Sequence, residues 1–193
     1  MQFIQVQKGN PEHFDTFKSM MVSYIKELDA HKPGKEPISD EFIFKITKSC
    51  MDVQGPHDRH LELVYVDEES IGFLYGKVDH EDHKGHKKPG YGYIMEFYVR
   101  PEYRRKGYGE DMFRRLERLF FDHDVKRMYL TTGTSGEAFW KTMGFTPTDE
   151  VQPDNDMLIF EKPCGPIYGS AKGKMQIADD FDASLDELSG YTE

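Results

Sequence analysis

The sequence predicts an α/β domain followed by a tail, and three observations carry that expectation. Strand-period and helix-period apolar patterns alternate along residues 1–162 in the order β-α-α-β-β-β-α-β-α-β. An apolar strand ending at Val99 runs through Pro101 into Arg104-Arg105-Lys106-Gly107-Tyr108-Gly109 and then into an amphipathic helix. At 193 residues the chain can hold one domain with a sizeable core and an appendage, hardly two independent domains.

Each element has its own signal. Phe3, Gln5 and Gln7 alternate with Ile4 and Val6 in a short strand that Gly9-Asn10-Pro11 ends. Asn10 and Pro11 supply the N-cap and first turn of a helix on which Phe14, Phe17, Met20, Met21, Tyr24, Ile25 and Leu28 recur at helical spacing, until Lys32-Pro33-Gly34 stops it. A second helix is expected over residues 39–51, with Phe42, Ile46 and Met51 on one face. Residues 61–67 and 71–79 read as a hairpin that turns at Glu68-Glu69-Ser70, and residues 91–99 form the next strand. Met112, Phe113, Leu116, Leu119 and Phe120 lay an apolar stripe on a helix reaching about Phe121. Residues 127–132 are a strand. A short helix carries Ala138-Phe139-Trp140-Lys141-Thr142-Met143, with Gly144 as its left-handed C′ residue and Phe145 starting the next strand; residues 157–162 close the sheet.

Composition narrows the chemistry. The formal charge of −10 argues against a nucleic-acid partner, because phosphate contacts need a basic surface. No apolar run approaches the roughly 18 residues of a membrane span, and the N-terminus has no signal-peptide pattern, so a cytoplasmic protein is expected. Cys50 and Cys164 suggest neither a disulfide framework nor metal-ligand spacing. His80, His83 and His86, interleaved with Glu81 and Asp82, read as a polar loop rimming a pocket rather than as a metal site.

The stretch from Arg104 to Gly109 suits a pyrophosphate. Its glycines let the backbone approach a ligand and adopt positive φ, the following helix turns unpaired N–H groups toward the same spot, and three consecutive cations stand beside it. Arg104, Gly107 and Gly109 match Arg/Gln-x-x-Gly-x-Gly/Ala, and Val99, Pro101, Tyr103 and Arg104 match the context before it. In these residues, and in the aromatic pair Phe139-Trp140 ahead of Gly144-Phe145, the chain resembles the GNAT superfamily of acyl-CoA N-acyltransferases. The resemblance covers residues 1–162. It implies a mixed central sheet flanked by helices and splayed at the cofactor strand, acetyl-CoA as cosubstrate without a metal, and an amine acceptor.

The resemblance also distributes roles. The backbone N–H groups from Arg104 through Gly109, Tyr108 included, would hold the pyrophosphate, assisted by the charges of Arg105 and Lys106. Phe97, Tyr98 and Val99 would pair through their backbone with the pantetheine amides. Glu96, a carboxylate in the middle of an apolar and aromatic strand, is the expected base, since burial would raise its pKa toward a useful value. Many members carry a tyrosine where this chain has Trp140, and indole does not titrate usefully. The thiolate would then leave into water or take its proton from Tyr129, Tyr108 or Tyr98, with Trp140 packed beside the cofactor thiol. Acceptor choice is expected in the helices near Tyr24 and Phe42 and in the loop after Asp79.

Residues 163–193 form an acidic tail, extended or partner-binding, in which Ile177, Phe181, Leu185 and Leu188 recur between acidic residues. The run from Tyr168 to Asp182 resembles the C-terminal toxin-binding segment of type II antitoxins. That likeness implies an alternative, a non-catalytic CoA-binding domain whose tail neutralises a nuclease toxin; against it stand a disordered tail and an arm that docks on a second copy of the chain.

Overall fold

The computed structural model describes residues 1–30, 38–56, 58–82, 88–152 and 157–165. One seven-stranded sheet runs through them in the order β1-β2-β3-β4-β5-β7-β6. Its strands are β1 (Gln2–Gln5), β2 (Arg59–Val66), β3 (Glu69–Val78), β4 (Gly92–Val99), β5 (Arg127–Thr131), β6 (Thr146–Gln152) and β7 (Met157–Pro163). Every neighbouring pair is antiparallel except β4 and β5, which are parallel. The helices are α1 (Pro11–Ala30), α2 (Asp40–Asp52), α3 (Tyr108–Asp122) and α4 (Thr134–Thr142). Among the described residues no helix is long and apolar enough to cross a membrane.

The local signals act as expected at most boundaries. Asn10 Oδ1 accepts from the N–H groups of Glu12 and His13 at 3.0 and 3.1 Å, capping α1, and Ser39 Oγ accepts from Phe42 N–H at 3.2 Å, capping α2. Gly144 sits at φ +91° behind α4, with Phe145 N–H bonded back to the Trp140 carbonyl at 3.0 Å. The proposed stop at Lys32-Pro33-Gly34 lies outside the described residues.

Three expectations change. The hairpin turns at Asp67-Glu68, not at Glu68-Glu69-Ser70, because both of those residues adopt positive φ (48° and 69°), the backbone a two-residue turn needs to match strand twist. Two strands, rather than the one written in the element order, follow α4; β6 is mostly exposed and pairs only with β7, which weakens its apolar signature. On α2 the buried face is Ile43, Thr47, Cys50 and Met51, and Phe42 is 51% exposed.

Each face of the sheet has its own core. Met112, Phe113, Leu116 and Phe120 of α3, with Trp140 of α4, pack on Ile71, Leu74, Ile94 and Phe160. Phe17, Met20, Met21 and Ile25 of α1, with Ile43 of α2, pack on Leu61, Leu63, Phe73 and Tyr98. Each such fully buried side chain contributes about 1.5–3 kcal/mol relative to exposure. Phe120 lies flush on the sheet because a Cβ at Gly76 or at Gly92 would come within 2.7 Å of its ring. Arg115 of α3 adds a bidentate bond to the buried Glu62 carboxylate at 3.0 and 2.7 Å.

A bulge in β4 sets up the site. Tyr75 pairs with Glu96 but Gly76 pairs with Ile94, so Met95 is an extra residue. Before it, Gly92 and Ile94 face α3; after it, Phe97 and Val99 do, which leaves Glu96 and Tyr98 on the side of α1 and α2.

Candidate active site

The first half of the site lies where β4 leaves β5. The two strands pair only at Gly92 with Met128 and at Tyr93 with Tyr129, so the rest of β4 diverges. Arg100 N–H donates to the Ile71 carbonyl at 2.8 Å, which fixes the alternation along β4: the peptide groups of Phe97 and Val99 turn toward the gap, while those of Glu96 and Tyr98 turn toward β3. An extended amide-bearing chain laid in the gap would therefore meet Phe97 and Val99. Tyr98 is corrected on this point, its backbone being occupied by the ladder.

After β4 a single 3-10 turn, Pro101–Tyr103, leads to the glycine segment. Arg104 N–H is taken by the Pro101 carbonyl at 3.2 Å, so Arg104 drops out of the expected row of donors. The N–H groups of Arg105, Lys106, Gly107, Tyr108 and Gly109 make no hydrogen bond among the described residues. Arg105 at φ 60° and Gly107 at φ 90° curl this segment, and Gly107 is the N-cap of α3. The result is a concave row of donors at a positive helix end, suited to phosphate oxygens. The side chains of Arg105 and Lys106 are exposed and form no ion pair among the described residues. A Cβ at Gly109 would stand 3.3 Å from the Phe139 ring, so α4 packs directly against the turn.

The second half is a pocket of about 170 Å³ lined by Met21, Tyr24, Ile25, Leu28, Asp29, Ile38, Ile46 and Glu96. Its wall is mostly apolar, and Glu96 is the carboxylate on its β4 side. Burial pushes Glu96 up to about 7, and a side-chain hydrogen bond with Tyr24 partly opposes the rise. Burial likewise raises Tyr24, with the Glu96 charge next. Asp29 Oδ2 accepts from Ile38 N–H at 3.1 Å, joining α1 to the start of α2. Cys50, buried nearby, is pushed up to about 12 by burial and then by Glu96, and stays a thiol.

Several expected residues sit elsewhere. Tyr129 is fully buried and donates its hydroxyl to Asp79 Oδ2 at 2.8 Å, while Asp79 also pairs with Lys77 at 2.9 Å. Burial and then Asp79 drive its pKa well up, and it stacks on Tyr93 at the end of β4 remote from the glycine turn. Tyr129 is thus a structural phenol and not an acid for a thiolate. Trp140 is 7% exposed, edge-on to Phe97 at 5.2 Å and Phe113 at 6.0 Å. It is a core aromatic in ring contact with Phe97 of β4 and, at 4.9 Å, with Phe139 beside the glycine turn. Phe42 is not among the pocket residues. His83 and His86, and the antitoxin-like run from Tyr168, lie outside the described residues, as does all of the tail beyond Gly165.

Sequence reasoning missed the pairing of Tyr24 with Glu96, and of Glu27 with Arg104, whose guanidinium takes both Glu27 oxygens at 2.8 and 2.6 Å. One signal was available: Tyr24, Glu27 and Leu28 share a helix side at i, i+3 and i+4.

The sequence model of the Acetyltransferase (GNAT) family matches residues 22–145. Among solved structures, the PaiA N-acetyltransferase from Thermoplasma acidophilum in complex with coenzyme A superposes with a TM-score of 0.62 at 18% identity, over 84% of this chain and 99% of that one. An aminoglycoside 6'-N-acetyltransferase complexed with coenzyme A gives 0.63 at 12% identity, over 86% and 99%. An acetyltransferase from Thermus thermophilus gives 0.58 at 15% identity, over 84% and 97%. No curated protein matches the sequence. At these identities the superpositions establish the fold.

Proposed function

The chain belongs to the GNAT acetyltransferase family, and from that premise we propose that it moves an acetyl group from acetyl-CoA to a primary amine held between α1 and α2, in the cytoplasm. The observation that carries the reading is the pairing of a cradle of free N–H groups, from Arg105 to Gly109, with a carboxyl at about 7 in the pocket next to it. The donor row, two exposed cations and the open edge of β4 together fit a pyrophosphate with an amide-bearing arm. Acetyl-CoA, when bound, supplies an activated acyl carbon and a thiolate leaving group.

The chain's own groups have four tasks. Arg105 to Gly109 hold the phosphates, and the peptide groups of Phe97 with the N–H of Val99 align the arm, the Val99 carbonyl being bonded by Arg104 Nε at 2.8 Å. The apolar wall of Met21, Ile25, Leu28 and Ile46 strips water from the amine and favours its neutral form. Glu96 accepts the amine proton, and Tyr24 orients that carboxylate. The amine nitrogen then forms the C–N bond as the C–S bond breaks, and the sulfur takes its proton from solvent. No phenol is required there, since a thiol of ordinary pKa about 8.5 leaves readily as thiolate near neutral pH.

The test is thiol release from acetyl-CoA across a panel of primary amines. With the best amine, Glu96→Gln should lower kcat/KM roughly a hundredfold or more and flatten its rise with pH through about 7. A loss below about threefold would remove Glu96 from the role of base. Acetyl-CoA binding with no release from any amine would instead favour a non-catalytic binding domain.

A further inference from the structure

Arg104 is held on three sides. Its Nη1 and Nη2 donate to the two Glu27 oxygens at 2.8 and 2.6 Å, its Nε donates to the Val99 carbonyl at 2.8 Å, and its guanidinium lies 5.7 Å from the Tyr98 ring centroid. These contacts join three pieces of the site. Glu27 belongs to the last turns of α1, between Tyr24 and Leu28 of the pocket wall; Val99 ends β4; and Arg104 itself opens the segment of free donors. A planar fork bonded bidentately and once more through Nε has little freedom left to turn toward a phosphate. Arg105 and Lys106, by contrast, remain exposed beside it.

We propose that Arg104 is a positioning residue that, through Glu27, couples the amine pocket to the cofactor cradle, so that α1 and the donor row hold their places only together. The proposal rests on the reading that Arg105 to Gly109 hold acetyl-CoA and that the Glu96 pocket takes the amine. Glu27 then influences cofactor affinity without touching the cofactor. The sign of that influence separates coupling from charge. Glu27 is an anion near the site of a polyanion, so on charge alone its removal would leave acetyl-CoA binding unchanged or tighten it, and would also free Arg104 for the phosphates. Coupling demands the reverse.

The experiment is calorimetric titration of acetyl-CoA, without amine, into the full-length protein and into Glu27→Ala, Arg104→Lys and the Glu27→Ala/Arg104→Ala pair. Coupling predicts a Kd weaker by about fivefold or more for Glu27→Ala. It also predicts no rescue by lysine, which keeps the charge of Arg104 but not its fork, and a double variant no worse than Glu27→Ala alone. The amine KM of Glu27→Ala should rise in parallel while the pH midpoint of kcat/KM stays put. Glu27 and Arg104 are about one-third exposed, so these variants should fold, and a melting curve for each checks that. Unchanged or tighter binding by Glu27→Ala, or full recovery in Arg104→Lys, would overturn the coupling alone. Failure of the unaltered protein to bind acetyl-CoA would bring down the functional reading and the coupling with it.

Discussion

The cradle ahead of α3 takes its donors from five consecutive residues, Arg105 to Gly109, whereas the pocket beside Glu96 is assembled from α1, α2 and β4. Backbone donors ask little of side-chain identity beyond residues that accept positive φ, Gly107 at 90° and Arg105 at 60°, so such a cradle can be written in one short local pattern. A pocket made of side chains from distant elements has no such shorthand. Its shape depends on helix packing, and each lining residue can change independently of the others. The contrast teaches that one half of the site is set by local backbone geometry and the other by the packing of distant elements.

The largest test of this contrast falls on the cradle. Gly109→Val would drive a branched side chain into the Phe139 ring, which a Cβ alone already approaches to 3.3 Å. Displacing two or more donor N–H groups, each worth about 1.5–3 kcal/mol to an anion, should weaken acetyl-CoA binding by roughly a hundredfold or more in a calorimetric titration. Unchanged affinity would mean that the cofactor does not sit there. A smaller effect is expected from Arg105→Ala/Lys106→Ala. Both side chains are exposed, so the loss should be about threefold to tenfold and should shrink as salt is raised. A loss as large as that of Gly109→Val would shift the weight from backbone to side chains and blur the distinction.

The smallest expected effect sharpens the other half. Glu96 binds its proton more tightly in the folded protein, at about 7, than the ordinary 4.5 of an exposed glutamate. The folded state therefore holds more protons between those values, and the protein should lose stability as pH rises from about 4.5 to about 7. Glu96→Gln escapes that loss. Its melting temperature should gain on the unaltered protein by a few degrees across this interval, and a gap independent of pH would show that the carboxyl is solvated instead of enclosed.

What could be read in advance follows the same division. The Asn10 cap, the start of α2 after Ser39, the stripe on α3, the Gly144 terminus and the glycine turn all depend on residues a few positions apart, and all lie where their local signals put them. Phe42 went wrong because α2 has two apolar sides, and only contact with α1 and the sheet decides that Ile43 and Cys50 point inward. Tyr129 misled for a related reason. A tyrosine on a strand next to the cofactor strand has the right chemistry, but the buried Asp79 that claims its hydroxyl lies fifty positions away. Arg104 matched a motif and carries part of its meaning elsewhere, because Glu27 lies in another helix.

Met95 has a consequence for how this protein can change. The extra residue divides β4 into two half-strands of opposite numerical parity, which share their faces because Met95 stands outside the ladder. Point changes in α1, α2 or the outer half of β4 alter the pocket beside Glu96 one side chain at a time. Drawing Met95 into the ladder would instead invert the frame of the outer half, turning the carboxylate toward α3 and Phe97 toward the pocket, whereas deleting Met95 would join Ile94 to Glu96 with both faces kept. The face that Glu96 presents therefore depends on Met95 staying out of the ladder, and not on the number of residues in the strand.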